Sequence, residues 1–177
     1  EYEVMKQHAE KGAENVSAME DIHPRVADAV LGHHIKFNRS GYPEWARERK
    51  FDGMTEIVAV ADCYDAITTL RSYSMPILPR AALDIMHRIS GTALNGYLVE
   101  KFERMMGEYP VGTLVRLDNN EIALVVRPHP MENQAPAVKV VIDSRGNAVE
   151  KPRQLSLSAA GGTRYASIVA TVDPLLK

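Results

Sequence analysis

Three histidines and an aspartate within the first 65 residues are of the types that hold transition metals. His8 lies in a helical pattern, the pair His33-His34 follows, and Asp62 stands inside the apolar run 57–66. Neutral imidazole and carboxylate suit Zn, Mn and Fe(II), and an ionisable side chain on an otherwise apolar helix needs a partner. Between Ala61 and Cys63, Asp62 carries a large desolvation cost unless it is metal-bound or ion-paired; an Arg or Lys from another helix would serve as well as a metal. Asp65 could bind metal or orient a histidine from behind. Adjacent histidines on one helix point about 100° apart, so both reach one cluster only at its rim, or they serve different ions. The alternative for His33-His34 is an ordinary core or surface pair. Gly41-Tyr42-Pro43 is a tight turn signal, and Arg71 could hold a phosphate bidentately or cap a helix end. A metal cluster in a helical core points to hydrolysis.

The elements that must position these residues are legible from periodicity. Val4, His8, Lys11 and Asn15 carry helical spacing through the first segment. Pro24 suits the first position of a second helix, before which His23 either caps the helix or faces solvent, and Val26, Val30 and His33-His34 continue one face. Residues 37–50 read as a loop. A third helix over about 54–70 is the most apolar and is expected to be buried; Val58, Asp62, Asp65 and Thr69 share its face. Further helices are expected over 80–89 and 96–106. The pattern changes at Glu108-Tyr109-Pro110. Short β-branched runs at 111–117 and 121–127 flank the hairpin signal Asp118-Asn119-Asn120, and 137–142, 155–158 and 167–172 complete a set of strands. The fold class is α+β, with a helical module over 1–107 and a small β-rich extension over 108–177.

Composition narrows the function classes. A formal net charge of −2 argues against bulk binding of a nucleic-acid polymer or an anionic membrane. A single cysteine, Cys63, forms no internal disulfide and points to a reducing, cytoplasmic setting. No segment has the run of apolar residues that a membrane span requires. The chain opens at Glu1 within a helical pattern rather than on a methionine, and reads as part of a longer protein.

Met5-Lys6-Gln7-His8 through Gly12, His33-His34, Gly41-Tyr42-Pro43, the run 58–68, Arg71-Ser72-Tyr73 and Tyr109-Pro110-Val111-Gly112-Thr113 together resemble HD-GYP domains. These are bacterial metal-dependent phosphodiesterases of the HD superfamily that open cyclic di-GMP. The resemblance runs over about residues 1–127. It implies an all-α HD-type helical bundle, here in part, and a divalent metal cluster of iron or manganese. His8, His33, His34 and Asp62 fall on metal-ligand positions, Asp65 and Arg71 on catalytic positions near the cluster and the substrate phosphates, and Tyr42 beside the substrate. It implies cyclic di-GMP as substrate, with a homodimer as one assembly. Two departures stand against it. The His-Asp doublet that names the superfamily does not occur in this chain, which is therefore expected to be inactive by itself. Ile35 stands where the family writes a glutamate, and Asn38-Arg39 where it writes Asp-Gly. The rival reading is a degenerate HD-GYP module that binds nucleotide or protein partners without hydrolysis.

Overall fold

The structure, a computed structural model, describes residues 2–70, 76–129, 134–158 and 165–173. Arg71 lies outside the described residues. By its internal contacts the chain divides into two compact units, Glu1–Thr69 with Asp84–Lys101 and Leu70–Leu83 with Phe102–Lys177.

The first unit is built on helices α1 (Tyr2–Lys6), α2 (His8–Ser17), α3 (Pro24–Gly32) and α4 (Gly53–Thr68), with parts of α5 (Pro79–Ile89) and α6 (Gly96–Met106). Proline at its first position pre-sets the backbone of α3, and His23 Nδ1 accepts the Arg25 amide at 3.2 Å as the N-cap. Asp52 caps α4 in the same way, accepting from the Met54 amide at 3.0 Å. Helix α3 closes on α4 at Gly32. A Cβ added there would lie 2.8 Å from the Phe51 ring and from Thr55 Cγ2, so glycine sets how near the two helices come. Ala13, Leu31 and Ala46 are buried together, with Val30, Ile35 and Phe51 packed against them. Loop 37–50 contains a short 3-10 turn (Glu44–Ala46). The Phe37 and Asn38 amides donate to the Ala93 and Thr92 carbonyls at 3.0 and 2.9 Å, which ties the loop to the α5–α6 turn.

One expectation fails on α4. Its apolar run is not buried throughout: Thr55 and Val60 are, but Ile57 is 56% exposed and Val58 37%. The cause is geometric. Helix α3 covers α4 along the side of Thr55, while Met54, Ile57, Val58 and Ala61 recur at i, i+3, i+4 and i+7 on another side that the described residues leave open.

The second unit carries a five-stranded antiparallel sheet: β1 (Leu114–Leu117), β2 (Ile122–Arg127), β3 (Ala137–Ile142), β4 (Gln154–Ser156) and β5 (Ile168–Val172), in the order β4-β3-β2-β1-β5. Alternation along β1 buries Val115 and Leu117 and exposes Arg116. Those two join Ala123, Val125, Val138, Val140 and Leu157 in one core. The β1–β2 turn uses Asn120 with φ of 65°, a left-handed position that asparagine tolerates. Glu121, buried just after it, accepts from Tyr165 at 2.7 Å, Arg153 at 2.9 Å and Asn119 at 3.0 Å. No helix among the described residues is long and apolar enough to cross a membrane.

Candidate metal centre

His8 opens α2, directly after α1, and its ring is turned by its own backbone: Nδ1 lies 2.7 Å from the Met5 carbonyl oxygen. His33 repeats the arrangement, with Nδ1 at 2.7 Å from the Val30 carbonyl, again three residues back. A carbonyl oxygen only accepts, so both Nδ1 atoms carry a proton, and a neutral ring held this way presents its lone pair at Nε2. Those two Nε2 atoms face each other at 3.1 Å, and His34 Nε2 lies 3.2 Å from His8 Nε2. The ligand nitrogens of all three histidines fall within 4.8 Å of one another.

The rule that neighbours on a helix diverge does not apply to His33 and His34, because α3 ends at Gly32. His33 is its C-cap, the Ile35 amide turns back to the Gly32 carbonyl at 2.8 Å, and the two imidazoles come to 4.1 Å between centroids. The turn Gly41-Tyr42-Pro43 closes on the same segment. The Tyr42 amide donates to the His34 carbonyl at 3.3 Å, and the Tyr42 ring sits 4.5 Å from the His34 ring and 6.1 Å from that of His8. Its hydroxyl reaches Met5 Sδ at 3.7 Å.

Asp62 projects from α4 toward this group. Its Oδ2 is 4.0 Å from His34 Nδ1, an ion-pair distance rather than a hydrogen bond. Asp62 thus stands within ion-pair reach of a histidine of the cluster. His33, His34, Tyr42, Asp62 and Cys63 share the wall of an open cavity of about 450 Å³. Asp65 is not in that wall; it is exposed, and its Oδ1 accepts from the Thr69 hydroxyl at 2.9 Å.

Electrostatics favour the neutral, ligating form of His33. Burial pushes His33 below the ordinary histidine value, against the opposing pull of the Val30 carbonyl and of Asp62. Burial, aided by Asp62, pushes the Cys63 thiol up, so it remains protonated and a poor ligand. Two bare Nε2 lone pairs at 3.1 Å repel unless a cation lies between them. Ligand nitrogens about 2.0–2.1 Å from one ion stand about 2.9 Å apart at octahedral and 3.4 Å at tetrahedral angles, and the two contacts that His8 Nε2 makes, 3.1 Å to His33 and 3.2 Å to His34, fall inside that range. The donor set fits a divalent transition metal.

Sequence reasoning brought His8, His33, His34, Asp62 and Tyr42 to this site. It missed the Met5 and Val30 carbonyls, although both stand three residues before a histidine on a helical stretch, and it missed Arg47, whose guanidinium holds the Gly41 carbonyl.

Known protein families match both parts of the chain. Residues 1–96 match the HD domain family, and residues 114–163 match a KOW domain associated with HD domains. A cyclic di-GMP phosphodiesterase of Pseudomonas aeruginosa is 28% identical over 163 residues, 92% of this chain and 39% of that protein. One of Thermotoga maritima is 34% identical over 109 residues, 61% of this chain and 30% of its own length. The cyclic di-GMP phosphodiesterase response regulator RpfG of Xanthomonas campestris is 30% identical over 105 residues, 59% and 28% of the two chains. The chain thus spans less than half the length of each of these relatives. With its histidine cluster beside a Gly-Tyr-Pro turn, the chain belongs to the HD domain family, in its HD-GYP branch.

Proposed function

We propose that the protein hydrolyses cyclic di-GMP as a metal-dependent phosphodiesterase, with His8, His33, His34 and Asp62 holding a divalent ion of iron or manganese. The observation that carries this is the convergence of the ligand nitrogens of His8, His33 and His34 within 4.8 Å of one another, with the Asp62 carboxylate 4.0 Å from His34. The chemistry such ions supply when bound is activation of water and neutralisation of charge developing on phosphoryl oxygens. The chain's residues do the rest. The Met5 and Val30 carbonyls fix the rings in the ligating tautomer, and Tyr42 offers an aromatic face to a guanine base at the cavity wall. Arg71 and Asp65 are assigned to the substrate phosphates on family resemblance. We read residues 1–107 as the helical module of this enzyme and 108–177 as its β-rich extension, a division supported by family matches that end at 96 and resume at 114.

A second reading has one observation in its favour. Where the family writes carboxylates, Ile35 pairs with Gly41 in a β-bridge and Asn38 Oδ1 accepts from the Ser40 amide and hydroxyl at 3.1 and 2.7 Å, so both positions serve the turn. A module of that kind would bind nucleotide without cleaving it. The test loads the full-length protein anaerobically with Mn(II) or Fe(II), because the chain by itself lacks the family's His-Asp doublet and is expected to be inactive, and follows metal content and cyclic di-GMP turnover in wild type, His8→Ala and Asp62→Asn. The phosphodiesterase reading expects hydrolysis by wild type and at least a tenfold loss of metal affinity in His8→Ala, in line with the roughly 10–100-fold cost of disturbing a metal's supporting groups. Nucleotide binding without turnover in the metal-loaded wild type would instead select the second reading.

A further inference from the structure

Arg47 stands just beyond the 3-10 turn and takes no part in the ligand set, yet its contacts run straight to it. Its Nε and Nη2 both donate to the Gly41 carbonyl oxygen, at 2.9 and 2.7 Å. Gly41 is the residue most tightly confined by the histidine segment. Its φ is +101°, and a Cβ placed on it would lie 2.1 Å from the His34 carbonyl oxygen. That same oxygen receives the Tyr42 amide, and the Lys36 amide bonds the Ser40 carbonyl at 2.8 Å, so residues 34–42 form one closed loop. The other end of the connection is anchored too. Ala46, next to Arg47, is 1% exposed and packs with Ala13 of α2 and Leu31 of α3. The Arg47 guanidinium therefore links the buried Ala46 segment of the helical unit to the Gly41 carbonyl of the turn.

We propose that Arg47 is a positioning residue for the metal centre: by holding the Gly41 carbonyl it fixes the turn 41–43 on the His34 backbone, and with it the Tyr42 ring on the His34 imidazole. This rests on reading the histidine cluster as a metal site. Two donors from a single plane onto one oxygen define an orientation, where the single ammonium of lysine would define only a distance. The partner Glu44, at 3.0 Å from Arg47 Nη2, steadies the guanidinium from an exposed position and contributes little.

The test compares Arg47→Ala, Arg47→Gln, Arg47→Lys, Glu44→Gln and His8→Ala with wild type in two measurements. One is Mn(II) affinity by calorimetry. The other is the NMR shifts of the His34 ring protons without metal, which the Tyr42 ring current displaces at 4.5 Å. Arg47→Ala and Arg47→Gln should weaken Mn(II) binding on the order of tenfold. They should also move the His34 signals toward unshifted values, while the far-ultraviolet spectrum stays that of a folded protein. Arg47→Lys should recover part of both effects, and Glu44→Gln should stay within twofold of wild type. Wild-type affinity and wild-type His34 shifts in Arg47→Gln overturn the proposal, whether or not Arg47→Ala folds. If His8→Ala also binds Mn(II) like wild type, the metal reading itself has failed. The His34 shifts then decide the role of Arg47 alone, and unmoved shifts reject it.

Discussion

A histidine ligates only through a nitrogen that carries a lone pair, so the decisive fact at the residue scale is where each ring keeps its proton. In His8 and His33 the backbone makes that choice, through carbonyls three residues earlier at 2.7 Å. Nitrogen-15 NMR on the metal-free protein should find both rings protonated at Nδ1. A dominant Nε2–H form at either ring would remove the argument for a cation between them. The same logic gives a pH dependence. Burial depresses His33, so the folded state prefers the neutral ring. A depressed group contributes stability that is present above its unfolded value, about 6.5 for histidine, and is lost as pH falls through the folded value. Metal affinity should fall in that same direction, because a protonated ring has no lone pair to give. The check is Mn(II) affinity measured between about pH 7.5 and 5.5, which should decline on acidification and not rise.

At the scale of elements, two helices must meet closely enough for a residue at the end of one to reach the side of the other. Gly32 permits this. The substitution Gly32→Ala would place a methyl 2.8 Å from the Phe51 ring and Thr55 Cγ2, which must shift together to admit it. The expected cost is about 1–3 kcal/mol in denaturant unfolding, and Mn(II) affinity should fall as His34 and Asp62 separate. A variant as stable as wild type would show that α3 and α4 yield more easily than this contact implies. The helices were legible in the sequence because apolar periodicity and start signals such as Pro24 act locally; the expected 96–106 helix is found as Gly96–Met106. Less legible was what happens at their ends. A period of 3.6 assigns His33 and His34 diverging directions, and nothing in the pattern says that the helix stops one residue earlier. Nor could hydropathy tell which side of α4 is covered: Ile57 and Val60 are equally apolar, yet one is 56% and the other 3% exposed.

Across the whole molecule, chemistry and architecture separate: the histidines belong to the helical unit, whereas the sheet has a polar centre of its own at Glu121. The strands around it were readable from short β-branched runs and the Asp118-Asn119-Asn120 turn. The burial of Glu121 was not, since the residues that receive it, Arg153 and Tyr165, lie far along the chain. Burial alone would raise this carboxyl. The hydrogen bonds from Tyr165, Asn119 and Arg153 outweigh that and hold it below the ordinary carboxylate value. Its stabilisation is therefore complete above the unfolded value, roughly 4.3, and drains away as pH falls through the folded one. Acid should loosen the sheet as pH falls through that window. This loosening and the protonation of His33 can be told apart because the one tryptophan, Trp45, lies in the helical unit, while amide exchange of β1 and β2 reports on the sheet. Glu121→Gln should flatten the acid limb of β1–β2 protection and, with Arg153 and Tyr165 left without their anion, lower the protection at neutral pH. An acid limb unchanged in Glu121→Gln would mean that some other carboxylate governs the sheet.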